Sequence, residues 1–136
     1  MAGTLRLLGL CAGVGMLDEG VHAALDYLGV RSRVVGHCER DAYAASVLLA
    51  RMADKSLAPA PVWAGNLEDV RWQSWHGCVD GIVAGFPCQP WSAAGKREGQ
   101  DDARWLWPAI ARIVDEVEPS LCFLENVPGL VSGGGL

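Results

Sequence analysis

Leu5-Arg6-Leu7-Leu8-Gly9-Leu10-Cys11-Ala12-Gly13-Val14-Gly15 is an apolar run that stops at a glycine pair. The period then changes: Leu17, Val21, Ala24, Leu25 and Leu28 recur at the spacing of one helix face. Strand, tight turn and helix, in that order, open an α/β fold. The alternation continues. Residues 33–38 read as a second strand ending at Glu39, and Asp41 is placed to cap a helix whose stripe includes Ala44, Val47 and Leu48. A proline-containing loop over 58–61 leads to a short third strand, Val62-Trp63-Ala64. Residues 81–84 form a fourth strand, Leu106, Ile110, Ile113, Val114 and Val117 an amphipathic helix, and residues 121–124 a fifth strand. The segment 92–102, rich in charge and small residues, reads as a mobile loop. The expected architecture is α/β with a mainly parallel sheet.

The 136 residues suffice for about one domain. Hydrophobic residues make up 51% and charged residues 20%, which argues against disorder over most of the chain. No apolar stretch approaches the roughly 20 residues of a membrane span. The N-terminus carries no signal-peptide pattern, so a soluble, cytoplasmic protein is expected. The five cysteines are odd in number and show no paired CxxC spacing, which disfavours a metal site and a disulfide framework. Cys11, Cys38 and Cys122 lie in or beside strand-like runs and read as buried, inert thiols. The net charge of −5 conflicts with stand-alone nucleic-acid binding, which needs Lys and Arg against phosphates.

In open α/β sheets ligands bind at the carboxyl ends of the strands, near the point where strand order reverses. The turn containing Gly13 and Gly15, the carboxylate of Glu39, Cys88 and Glu125 all fall at such ends. The glycines permit close backbone approach to a ligand, or serve only as a tight turn. Asp18 stands where a dinucleotide fingerprint has its third glycine, which disfavours NAD. Glu39 is placed to grip ribose hydroxyls, or is a solvated loop charge. Cys88 lies in Gly85-Phe86-Pro87-Cys88-Gln89-Pro90-Trp91-Ser92, where two prolines fix the local backbone. A reactive thiolate needs positive surroundings, for which Lys96, Arg97 and Arg104 are candidates. Glu125, beside Leu124 and Val127, is expected to have a raised pKa and to act as a proton donor.

Three blocks resemble the N-terminal part of DNA cytosine-5 methyltransferases: Ala12-Gly13-Val14-Gly15, the Pro87-Cys88-Gln89 block with Ala94-Gly95-Lys96, and Glu125-Asn126-Val127. The resemblance implies a Rossmann-like S-adenosylmethionine-dependent methyltransferase fold, incomplete at the C-terminus. Residues 1–136 are then a partial catalytic domain without its target-recognition domain. It further implies that a cytosine is flipped out of DNA, that Cys88 attacks its C6, and that Glu125 protonates N3. The cofactor, S-adenosylmethionine, would contact Cys11, Ala12, Gly13, Gly15, Glu39, Asn66, Leu67, Pro87 and Leu106. DNA would meet Gln89, Ser92 and Lys96, with Asn126 bracing the strand ends. Trp91 is placed beside the substrate. No metal and no membrane are implied, and the setting is bacterial or phage.

The chain departs from that pattern at four places. The family usually has phenylalanine where Cys11 stands, glycine at Met16, an aromatic at Arg40 and aspartate at Asn66. The arginine motif and DNA-reading domain expected downstream are absent, so a complementing C-terminal polypeptide is the expected partner. Two other readings remain open: an inactive cofactor- or partner-binding fragment, and a transfer-RNA cytosine-5 methyltransferase.

Overall fold

The computed structural model describes residues 3–87 and 106–128. Five strands form one sheet: β1 (Leu5–Leu10), β2 (Ser32–Glu39), β3 (Val62–Ala64), β4 (Gly81–Gly85) and β5 (Leu121–Glu125). Their order is β3-β2-β1-β4-β5, and all four pairings are parallel. The chain therefore builds outward from β1 through β2 and β3, then returns to the other side of β1 with β4. The expected α/β sheet is present, and its order reverses between β1 and β4.

Three helices connect the strands: α1 (Met16–Tyr27), α2 (Ala42–Ala53) and α3 (Trp107–Val117). Parallel strands covered on both faces read as continuous apolar runs. β4 fits this rule, with Gly81, Ile82, Val83 and Ala84 all buried. One face of the sheet presents Leu8, Leu10, Ile82 and Ala84 to Ile110, Ile113 and Val117 of α3, with Trp72 filling the same layer. The opposite face presents Leu7 and Val83 to Leu25 of α1. Each fully buried aliphatic side chain contributes about 1.5–3 kcal/mol, so this layer carries most of the stability. Pro108 sits in the first turn of α3, where its missing amide costs no hydrogen bond.

A bulge interrupts the pairing of β1 with β2: Leu7 faces Val34, but Leu8 faces Gly36. Val34 packs with the α1-side cluster, whereas Val35 packs with the α3-side cluster. A Cβ on Gly36 would meet Trp75 and Leu8, also on the α3 side. Two successive residues thus share a face, and every later side chain of β2 is reversed relative to an unbroken alternation.

Several sequence expectations shift in detail. β1 ends at Leu10, leaving Cys11 outside the strand. Of the α1 stripe, Ala24 and the C-terminal capping residue Leu28 are exposed, while Asp18 is buried. Asp41 caps α2 as expected, accepting from the Ala44 amide at 2.8 Å, and the helix buries Ala45 and Leu48. Cys122 is exposed rather than buried, because β5 is an edge strand of the described sheet. The expected loop 92–102 lies outside the described residues. Among the described residues no helix is long and apolar enough to cross a membrane.

Arg6 and Asp80 close the opposite end of the sheet. Two guanidinium nitrogens and the Arg6 amide all donate to the Asp80 carboxylate at 2.8 Å. The Asp80 amide returns a bond to the Arg6 carbonyl, and the Asp80 carbonyl accepts from Ser120 ahead of β5. One residue thus ties the starts of three strands. The hydrogen bond from the Arg6 side chain, more than any other influence, holds the Asp80 carboxyl at about 2, below its ordinary 3.8. Its stabilising effect is complete above about pH 4 and is lost as pH falls toward 2, because a depressed carboxyl takes up its proton last in the folded state. Asp80→Asn should therefore lower stability by about 1 kcal/mol at pH 7. Urea unfolding midpoints should show the gap from the parent chain narrowing between about pH 4 and pH 2.

Candidate active site

At the end of β1 the chain turns sharply. Cys11 takes a left-handed conformation with φ of 51°, and Gly13 and Gly15 follow with φ of 56° and 82°. Ala12 donates its amide to the Cys38 carbonyl, and the Gly15 amide returns to Ala12. α1 then begins, with Glu19 bonded back to Gly15. The two glycines serve different ends. A Cβ on Gly13 would meet open space, while one on Gly15 would press Leu48 at 3.0 Å and Leu57 at 3.3 Å. Gly15 is buried and lines neither cavity described below, so its place is in the packing of the turn against Leu48 and Leu57.

Glu39, the last residue of β2, organises this turn. Its Oε2 accepts the Gly13 amide at 2.7 Å and its Oε1 accepts the Asp41 amide at 2.7 Å. A carboxylate has about four acceptor directions, so two remain for a ligand. They border a cavity of about 510 Å³, within the usual range for a small-molecule site. Glu39, Asn66 and Leu67 line it from the β2 and β3 side, and Pro87 and Leu106 from the β4 and α3 side, with Cys11 between. Six of the nine residues expected to meet a cofactor thus converge here. Asn66 also caps the turn at Leu67–Asp69, its Oδ1 accepting the Glu68 amide at 3.3 Å.

A second cavity of about 230 Å³ adjoins the first through Cys11 and Gly85. It is lined by Ala12, Gly13, Asp18 and Glu125. Glu125 stands opposite Gly85 in the β4–β5 register. A Cβ on Gly85 would lie 3.4 Å from Glu125 Oε2, so the glycine gives that carboxylate room over the strand end. Glu125 is exposed, as are Leu124 and Val127, in place of the apolar enclosure expected from the sequence. The reason is that β5 is an edge strand among the described residues. Asn126 donates from Nδ2 to the Phe86 carbonyl at 3.1 Å, tying the end of β5 to the segment that leaves β4.

Cys88, Gln89, Ser92 and Lys96 lie outside the described residues, as do Trp91, Arg97 and Arg104. Two other thiols border the larger cavity. Burial first, then the charge of Glu39, pushes Cys11 up to about 11. Burial, with Cys11 and Glu39 adding to it, pushes Cys38 up to about 12. Both stay protonated at neutral pH and are poor nucleophiles. Cys38 instead points its sulfur at the Gly65 carbonyl, 3.8 Å away. Asp18, Cys38, Arg40 and Gly85 also belong to these cavities, although sequence patterning did not select them as site residues. For Asp18 the available signal was a carboxylate beside the apolar face of α1.

The cavities can hold a nucleoside-like ligand: a carboxylate at the end of β2, an amide side chain on Asn66, and apolar walls from Leu67, Pro87 and Leu106. Among the described residues no three His, Cys, Asp or Glu side chains converge as a metal site would require.

Comparison with known proteins agrees with this architecture. The family model for C-5 cytosine-specific DNA methylase matches residues 5–134. The type II methyltransferase M.PspPI of Psychrobacter sp. (strain TA137) is 35% identical over 95% of this chain and 29% of its own length. M.AluI of Cellulosimicrobium cellulans is 36% identical over 90% of this chain and 22% of its length. The chain therefore spans less than a third of either relative. A crystal structure of a DNMT2 variant from Spodoptera frugiperda superposes with a TM-score of 0.64 at 24% identity, covering 95% of this chain and 37% of the other, and shares the fold.

The two turn glycines should separate by substitution. Gly13→Ala, facing open space, should cost about 1 kcal/mol for its left-handed backbone alone. Gly15→Ala adds the contact with Leu48 and should cost about 2–3 kcal/mol, read as a lower denaturation midpoint.

Proposed function

The chain belongs to the C-5 cytosine-specific DNA methylase family, and we propose that it supplies the cofactor-binding and nucleophilic part of a DNA cytosine-5 methyltransferase. The observation that carries this reading is the convergence of Glu39, Asn66, Leu67, Pro87 and Leu106 on one cavity, adjoining a second lined by Gly13 and Glu125. S-adenosylmethionine, when bound, supplies an electrophilic methyl group. Glu39 and Asn66 would hold its polar nucleoside atoms, with Leu67, Leu106 and Pro87 supplying apolar walls.

The rest of the chemistry belongs to this chain's own side chains. Cytosine C5 is a weak nucleophile until a thiolate adds to C6. Cys88, the residue after Pro87, gives up its proton and forms that bond. Glu125 places a proton on N3 as the ring takes up the charge, which leaves C5 enamine-like and able to accept a methyl group. Loss of the C5 proton to water, departure of the Cys88 thiolate and return of the N3 proton to Glu125 restore the aromatic ring. Asn126 keeps the end of β5 in register with the segment carrying Pro87 through its bond to Phe86. Gln89, Ser92 and Lys96 are the DNA contacts in this proposal.

A net charge of −5 gives little attraction for phosphate, and the relatives are more than three times as long. In this proposal a complementing C-terminal part provides the basic DNA-reading surface.

Two measurements test the reading. Calorimetric titration with S-adenosylhomocysteine should show binding to the chain, and Glu39→Ala should weaken it about tenfold or more, the value of a hydrogen bond to a charged group. In the presence of S-adenosylmethionine and the C-terminal region of a relative, duplex DNA carrying 5-fluorocytosine should become covalently attached to the parent chain and not to Cys88→Ser. Attachment to a transfer RNA bearing 5-fluorocytosine, with none to DNA, would reassign the substrate. No attachment to either, with binding intact, would leave a cofactor-binding fragment.

A further inference from the structure

Asp18 and His37 are each 2% exposed and are the buried polar or charged residues of the described core. They belong to different elements: Asp18 to the first turn of α1, His37 to β2. Asp18 Oδ2 approaches His37 Nδ1 to 3.4 Å, with side chains that are 2% and 0% exposed. Neither atom has a hydrogen-bond partner within the described residues, and the same holds for His37 Nε2. Gly9 makes the approach possible. It pairs with His37 across β1 and β2, and a Cβ there would lie 2.5 Å from Asp18 Oδ1. The carboxylate therefore rests directly on the backbone of β1.

Such a pair is a poor means of gaining stability. Removing polar groups from water costs about as much as their attraction returns, and an apolar pair of similar volume is often equally stable or more so. What the contact adds is position: the carboxylate fits only over Gly9 and beside His37, which fixes one placement of α1 against β2. The same two parts of the chain meet again at the cavity edge, where the Gly13 amide, in the turn feeding α1, donates to Glu39 at the end of β2. His37 and Glu39 are two residues apart on one strand and share its face, while Asp18 follows Gly13 by five residues. The buried contact and the partly buried one are consecutive rungs between the same two rails.

We propose that Asp18 and His37 are positioning residues for the cofactor cradle, holding α1 and β2 at the spacing that lets Gly13 and Glu39 bond. The part of this inference that concerns a ligand rests on the function proposed above; the part that concerns Gly13 and Glu39 does not.

The test uses the 136-residue chain and two ways of disturbing the pair. Gly9→Ala pushes the Asp18 carboxylate off β1 while keeping both side chains in the chain. Asp18→Leu combined with His37→Leu replaces them with apolar side chains. In each variant the Gly13 amide, followed by nuclear magnetic resonance hydrogen exchange, should exchange about tenfold faster, while Leu10 and Val83 amides stay within about twofold of the parent. Affinity for S-adenosylhomocysteine should fall about tenfold, and no further when Glu39→Ala is added. The Leu–Leu variant should keep or raise the denaturation midpoint, which a purely structural pair would not allow. Unchanged Gly13 exchange in either folded variant overturns the proposal, and so does faster exchange spread evenly over the core. A parent chain that does not bind S-adenosylhomocysteine would defeat the cofactor reading alone, and Gly13 exchange would still decide this one.

Discussion

A parallel sheet joins each strand to the next by a crossover, and each crossover must lie over one face. Where strand order turns back, the crossovers leave in opposite directions and the strand ends between them stay uncovered. That gap, between β1 and β4, is the condition on which the rest of this molecule depends. Cys11 and Gly85 occupy its two lips and border both cavities. Among the described residues, Glu39, Asn66, Gly85 and Glu125 reach the gap from the end of a strand or the turn after it, so much of the site's geometry is that of strand termini.

The alternation of apolar runs and helical periods made the fold legible, because burial on both faces leaves its mark on each strand. Strand ends were less legible. Cys11 looks like the last residue of an apolar run, yet its left-handed backbone takes it out of the strand. Leu28 fits the helix stripe by spacing but is 71% exposed, since α1 is finishing there and has no sheet beneath it. The burial of Asp18 was hidden for another reason: its partner lies on β2 and its resting place on Gly9, both far along the chain. Pairings of that kind follow from tertiary contact and leave no local period. The exposure of Glu125 is similar, since a sequence shows apolar neighbours but not whether anything covers an edge strand.

Glu39 combines a structural part with the part proposed for it in the site. Its oxygens order two backbone segments, the turn at Gly13 and the start of α2, before any ligand arrives. A site organised in this way loses little conformational freedom on binding, which favours affinity. The neighbouring thiols are kept inert by the same surroundings: low polarity and a nearby negative charge both oppose a second anion at Cys11 and Cys38. Chemical reactivity is thereby withheld from the cysteines that merely form the wall.

The extra residue in β2 has a consequence for how such chains are to be read against one another. Val35 and Gly36 share a side of the sheet, and from there onward odd and even positions exchange roles. Without that insertion, the thirty-eighth side chain would point toward α1 and the acid at Glu39 would face α3, away from the Gly13 amide. A chain lacking the extra residue could present a carboxylate to the glycine turn only by carrying it one place nearer the start of the strand. The parity of β2, more than the identity of any one residue in it, decides which letter of the sequence becomes the acid of the site.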